Sequence, residues 1–265
     1  MEKLAAAEIV VPHLMTQDAR QRLVDDLYTV HCRIFEGVDR RSFAKYVVES
    51  SAEHTWIQLH KSARGEVVGY IAIHIFEREL RGETAAVMRA EAGMMSEYRG
   101  ANVNGWFALD RLIRYMLAHP GRPTYYLGSL VHPSSYAQIA RYADNVYPNP
   151  SEAPPAEVAE LMGDLAATFG ISPVAEGNPL VCKVGWRTID TDADRAHWRR
   201  TENPYVRFFM AENPGYTEGH GLLTVAPLSL AGVMRAGGRF VGSKARRWAR
   251  GVAAAWAPRP TTSAA

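Results

Sequence analysis

The stretch AEAGMMSEYRGANVNGWFALDRLIRYMLAH, residues 90–119, narrows the possible folds of this chain more than any other. An apolar strand runs into a tight turn carrying Arg99 and Gly100, and the spacing predicts a long amphipathic helix at about 103–118. A strand–turn–helix of this kind aims several unpaired backbone N–H groups and a helix N-terminus at one point, which makes an anion site. A second pair follows: PTYYLGSLV reads as a strand, and HPSSYAQIARYADNVY as a helix opened by Ser134 or Ser135.

The rest of the chain fits around these two units. Leu23, Leu27, Val30 and Ile34 recur at four- and three-residue steps, so 17–37 reads as a helix with one apolar stripe, and a shorter helix covers 40–50. TWIQLH and EVVGYIAIHIFE are β-rich runs around KSARGE and read as a hairpin; the second run is apolar almost throughout, as in a strand covered on both faces. TAAVMRAEAGMM supplies the next strand. PNPSEAPPA, residues 148–156, is a Pro-rich bridge into a helix at 155–169, a helical insertion of about 148–172. PLVCKVGWRT and YVRFFMAEN read as late strands flanking a short helix capped near Thr191. The order predicts an α/β (α+β) chain: one mixed, mostly antiparallel central sheet with helices on both faces.

Composition excludes several classes. Cys32 and Cys182 are far apart and no metal-ligand spacing occurs among 265 residues, so no metal and a reducing, cytoplasmic setting are expected. The N-terminus lacks a basic region and a long apolar core, and no run approaches a spanning helix. The net charge of +2 hides a split: beyond Glu218 the chain has seven basic residues and no acid, which leaves residues 1–218 at −5. That split argues against general nucleic-acid binding and for a local contact with something anionic. Within a tail at 219–265, Val241, Ala245, Trp248, Val252 and Trp256 share one helical face, while Arg239, Arg246 and Arg250 fall largely opposite; Gly237 and Gly238 read as a hinge before it.

The units at 90–119 and 124–147 together resemble the GNAT acyltransferase superfamily. Its members usually carry Arg/Gln-x-x-Gly-x-Gly/Ala where the helix after the fourth strand begins. EYRGANVNGW matches at Tyr98, Arg99 and Gly100, but Asn102 and Asn104 stand where glycines are usual, and Gly105 comes one position late. The resemblance implies a GNAT-like domain at 1–218 and a carrier pyrophosphate held around Arg99, Gly100, Ala101, Asn102, Val103, Asn104 and Gly105. The donor is then acyl-CoA or an acyl carrier protein's acyl-phosphopantetheine; the Asn-for-Gly changes leave both open. The family's Asn-x-x-Ala-x-x-x-Tyr pattern puts Ser135 for the Asn, Gln138 for the Ala and Tyr142 on the tyrosine. Size, insertion and divergent glycines look most like the long-chain N-acyl amino acid synthase branch.

Acyl transfer from a thioester to an amine needs a base, oxyanion donors and an acid for the departing sulfur. The resemblance implies a backbone N–H of Met94 or Met95 for the oxyanion and the Tyr142 hydroxyl for the acid. Glu91 is the base candidate: a mid-strand carboxylate among apolar neighbours, on the face shared by Gly93 and Met95, or else simply a group paired with Arg89 or with a neighbouring strand. His132 is a second candidate, or a helix cap, and His74 a third, or a core histidine. Spacing gives no Ser-His-Asp or Cys-His geometry, so direct attack is expected, without a covalent intermediate. Tyr125, Tyr126, Met94, Met95, Trp106 and Phe107 suit an acyl tunnel or ordinary core packing. The expected acceptor is an amine of a small molecule or peptide. The tail helix at 239–256 suits an acyl carrier protein, an anionic membrane surface or the body of the protein. A catalytically inactive thioester- or partner-binding module and a membrane-peripheral scaffold are the rival readings.

Overall fold

A computed structural model of the chain describes residues 4–99, 104–175 and 177–256. Its first half runs β1 (Leu4–Val10), α1 (Gln17–His31), β2 (Phe35–Glu36), α2 (Arg40–Phe43), β3 (His54–Ser62), β4 (Val67–Leu80) and β5 (Glu83–Met94). There follow α3 (Asn104–Ala118), β6 (Thr124–Leu130), α4 (Pro133–Tyr142), α5 (Ala156–Thr168), β7 (Pro173–Ala175), β8 (Asn178–Lys183) and β9 (Arg187–Thr188). The chain then forms α6 (Asp192–Arg200), α7 (Pro204–Glu212), β10 (His220–Leu228) and α8 (Leu230–Trp256).

Eight strands make one sheet in the order β1-β3-β4-β5-β6-β10-β8-β7, antiparallel at every step except β5–β6. The mixed, mostly antiparallel sheet with helices on both faces is therefore present as the sequence implies. β4 and β5 stay paired from Gly69–Met94 to Leu80–Glu83. The parallel pair is far shorter: β5 and β6 are in register only at Ala86–Thr124, Val87–Tyr125 and Met88–Tyr126, although both strands run on. Beyond Met88 they diverge.

Alternation assigns the faces. On one, Tyr70 and Ala72 pack with Leu23, Val24 and Leu27 of α1, while Phe76, Val87 and Leu127 pack with Leu161 and Leu165 of α5. On the other, Ile71, Ile73 and Met88 pack with Phe107 and Leu112 of α3 and Val233 of α8, while Tyr126 and Leu130 pack with Tyr136 of α4 and Phe209 of α7.

The structure corrects the sequence reading at several points. YVRFFMAEN is helix α7: Asn203 caps it by accepting from the Tyr205 N–H at 3.0 Å, Pro204 suits its first turn, and Val206 and Phe209 are buried one turn apart. The body does not stop at residue 218. His220–Leu228 is a strand between β6 and β8, so the appended segment starts only at Leu230. Gly237 and Gly238 make no hinge, for α8 runs through them; a Cβ added at either meets nothing within 4 Å, so both lie on the open side of the helix. Helix α4 is capped by the His132 ring rather than by Ser134 or Ser135.

Candidate functional site

In an antiparallel ladder, alternate residues turn both N–H and C=O toward the same neighbour. The Met95 N–H bonds to Val68 O at 3.0 Å, so Gly93 and Glu91 also face β4, while Met94, Ala92 and Ala90 face β6. Where β6 has diverged, those last three amides have no strand partner, and Ala92 is exposed in mid-sheet. The gap opens into a cavity of about 1060 Å³ reached by Glu91, Met94, Tyr126, His132 and Tyr142. That is the size of a small-molecule site.

The Met94 N–H is turned toward the gap, whereas the Met95 N–H is spent on Val68 and its side chain is buried among Val30, Ile34 and Phe35. Of the tunnel residues, Met94 and Tyr126 reach the cavity; Tyr125 and Phe107 pack in core clusters, and Trp106 is 55% exposed.

Glu91 projects from the α1 face, its side chain 15% exposed. Its partner is not Arg89 but His74: Nε2 stands 3.0 Å from Glu91 Oε2, off the line of a well-aligned hydrogen bond. Nδ1 of the buried His74 meets Thr55 Oγ1 at 2.9 Å. Burial, then the Glu91 charge, raises the pKa values of the phenols of Tyr70 and Tyr126. Tyr70 Oη lies 2.9 Å from Nδ1 of His31, whose own pKa burial pushes down to about 4. Tyr70 therefore donates to a neutral imidazole.

On the opposite face stands Tyr142. Its hydroxyl lies 3.0 Å from Ser243 Oγ of α8, and Ser243 spends its proton on Phe240 O at 2.8 Å, so Tyr142 donates to α8. Helix α8 covers this end of the site. A Cβ on Gly105 would come within 2.9 Å of the Phe240 ring, Arg235 and Arg239 both bind Asp144, and Arg239 also donates to Tyr142 O. These two guanidinium groups hold the Asp144 carboxyl below its ordinary pKa.

The predicted anion turn is only partly in view, because Gly100, Ala101, Asn102 and Val103 lie outside the described residues. Arg99 turns back, its Nε donating to Met94 O at 3.0 Å and its Nη1 standing 4.0 Å from Asp190 Oδ1. The Asn104 side chain meets His60 Nε2 through Oδ1 at 2.7 Å. Burial, against that hydrogen bond, lowers the His60 pKa. Asp190, His60, Phe240 and Ser243 were missed in the sequence. Among the described residues no three His, Cys, Asp or Glu side chains converge as metal ligands, and no helix is long and apolar enough to cross a membrane.

No family model matches the chain, and no curated protein does. Among solved structures, it is similar to the Escherichia coli GNAT family N-acetyltransferase YhbS in complex with CoA, at 19% identity over 52% of this chain and 69% of that one, TM-score 0.33. It is also similar to Arabidopsis thaliana NAA60 in complex with acetyl-CoA, at 12% identity over 53% and 87%, TM-score 0.35. A GCN5-related N-acetyltransferase from Kribbella flavida aligns over 84% of this chain and 98% of its own, at 11% identity and TM-score 0.33. Likeness at this level decides nothing about activity.

Proposed function

We propose that the chain is an N-acyltransferase that moves an acyl group from a thioester donor to an amine. One observation carries the reading: the β5–β6 gap, with the amides of Ala90, Ala92 and Met94 turned into a cavity of about 1060 Å³. A pantetheine arm is a chain of amides and methylenes. It suits a slot edged by unpaired strand amides, which hydrogen-bond it as a further strand does. The same amides serve a thioester oxyanion, the Met94 N–H being the candidate.

The gap passes through the sheet, so its two faces take different roles. Glu91 and the buried His74 face the α1 side, where an incoming amine gives up its proton. Tyr142 and the start of α3 face the other side, where the leaving sulfur receives one. Protonating that sulfur requires the Tyr142 hydroxyl to leave Ser243. Acyl-CoA and an acyl carrier protein's phosphopantetheine both present the same arm. The amine of a small molecule or peptide, a long acyl chain and an anionic membrane or carrier-protein contact through 239–256 belong to this reading.

The second reading is a thioester-binding module, with Phe240 over Gly105 and Ser243 on Tyr142 as the contacts by which α8 would keep it idle. Turnover separates the two. With acetyl-CoA, palmitoyl-CoA and an acylated carrier protein as donors against a panel of amines, the wild-type chain should release free thiol. Glu91→Gln and Tyr142→Phe should each lower kcat by about 100-fold. Donor binding with no thiol release from any pair supports the module instead.

A further inference from the structure

His132 is held from both sides. Its Nε2 lies 3.1 Å from Asp190 Oδ2, and its Nδ1 lies 2.7 Å from Ser134 Oγ. A carboxylate only accepts, so Nε2 carries the ring proton and Nδ1 offers its lone pair, toward which Ser134 donates its hydroxyl proton. Serine to imidazole to carboxylate is the order of a nucleophile relay, here with the two ring nitrogens exchanged.

Capping alone does not account for this arrangement. As the residue before α4, His132 accepts the Ser134 N–H at 3.3 Å, which satisfies one amide of the first turn. That bond makes no use of Asp190, which is 58 residues further along and whose side chain is 2% exposed. Burying a carboxylate is costly, and Asp190 Oδ1 has no hydrogen-bond partner. Trp198 and Tyr216 stand edge-on to the imidazole, their centroids 5.2 and 6.4 Å away, and shield it. Ser134 is exposed on the cavity wall. Only the serine end of the relay is open.

We propose that Ser134 is a nucleophile that takes the acyl group, with His132 its base and Asp190 a positioning residue that fixes the tautomer; this rests on the thioester-donor reading above. Ser134 Oγ attacks the thioester carbonyl carbon as its proton passes to His132 Nδ1. The tetrahedral adduct expels the sulfur, which leaves as thiol with the Tyr142 hydroxyl proton, and an ester remains on Oγ. An amine then attacks the ester carbon, Oγ departs with the proton held on His132, and the proton shed by the nitrogen passes to Glu91 and through solvent back to Tyr142. Thioester and amine become amide and thiol, and no further reagent is required.

A fluorophosphonate probe reports serine nucleophilicity without any thioester. The full chain should take up one phosphonyl group on Ser134, located by peptide mass mapping, and Ser134→Ala should take up none. His132→Asn keeps a good capping side chain, so a purely capping histidine leaves labelling unchanged, whereas the relay predicts a rate at least about 100-fold lower. Asp190→Asn should slow labelling as well. With palmitoyl-CoA and no amine, the intact mass should rise by one acyl group. No adduct on Ser134, or equal labelling of His132→Asn, overturns the proposal. Thiol release at the wild-type rate by Ser134→Ala also overturns it and leaves direct transfer standing. Phosphonate labelling with no thioester consumed keeps the relay and overturns the donor class.

Discussion

At the scale of single residues, the buried imidazole–phenol pair under the gap gives the molecule an acid-side weakness. Burial lowers the His31 pKa from 6.5 to about 4, so between those values the unfolded chain holds the extra proton. Stability is then full above about pH 6.5 and falls with pH, by ~3 kcal/mol once pH is below about 4. Urea unfolding at pH 7.5, 5.5 and 4.5 should show that slope. His31→Gln keeps an acceptor for Tyr70 but cannot take up the proton, so its slope should be shallower. Individual site residues were unevenly legible. Glu91 and His132 stand out in sequence because each is a polar group in or at the end of an apolar run, Tyr142 came only from the family resemblance, and all three line the cavity. Asp190 and Ser243 did not stand out, since their partners lie 58 and 101 residues away and short-range spacing carries no trace of either pairing. The choice between Met94 and Met95 stayed open, because strand alternation alone does not say which neighbour an amide faces.

Among the elements, those with a clean period were readable. The stripe of α1, the apolar run of β4 and the strand–helix pair of β6 and α4 all form where expected. Strand β10 was hidden because both of its faces are buried, so it shows no alternation, and because the loss of acids after Glu218 suggested a tail instead. Helix α8 owes its position to Asp144, which binds Arg235 and Arg239 beside the buried Phe240. Both arginines are well exposed, so Asp144→Asn should cost no more than about 1 kcal/mol. Its larger effect should be on access. Amide exchange in 230–243 should quicken, and donor binding followed by titration calorimetry should tighten severalfold. Unchanged exchange and unchanged affinity together would mean that α8 does not guard the cavity.

For the whole molecule, two truncations separate what α8 does for the fold from what its distal end does. Stopping after Ser243 keeps Val233, Ala236 and Phe240 buried and keeps the Tyr142 contact, so the melting temperature should change little. Binding to vesicles rich in anionic lipid should fall if Lys244, Arg246, Arg247 and Arg250 provide it; the side chains from Lys244 onward lie outside the described residues. Stopping after Ser229 strips Val233 and Phe240, about 2 kcal/mol each, and opens Phe107 and Leu112 to water. That chain should unfold or aggregate, as thermal scans and light scattering would register. The midline of the sheet has a consequence of its own. Within the eight-stranded sheet of the described residues, three registered pairs, at Ala86–Met88, join β5 to β6, and the separate β2–β9 ribbon, at Phe35–Thr188 and Glu36–Arg187, ties the same two halves again. With so few strand bonds along it, that seam leaves the width of the opening to be set by what crosses it: the β2–β9 ribbon, the apolar cluster of Phe76, Val87 and Leu127, and helices α3 and α8.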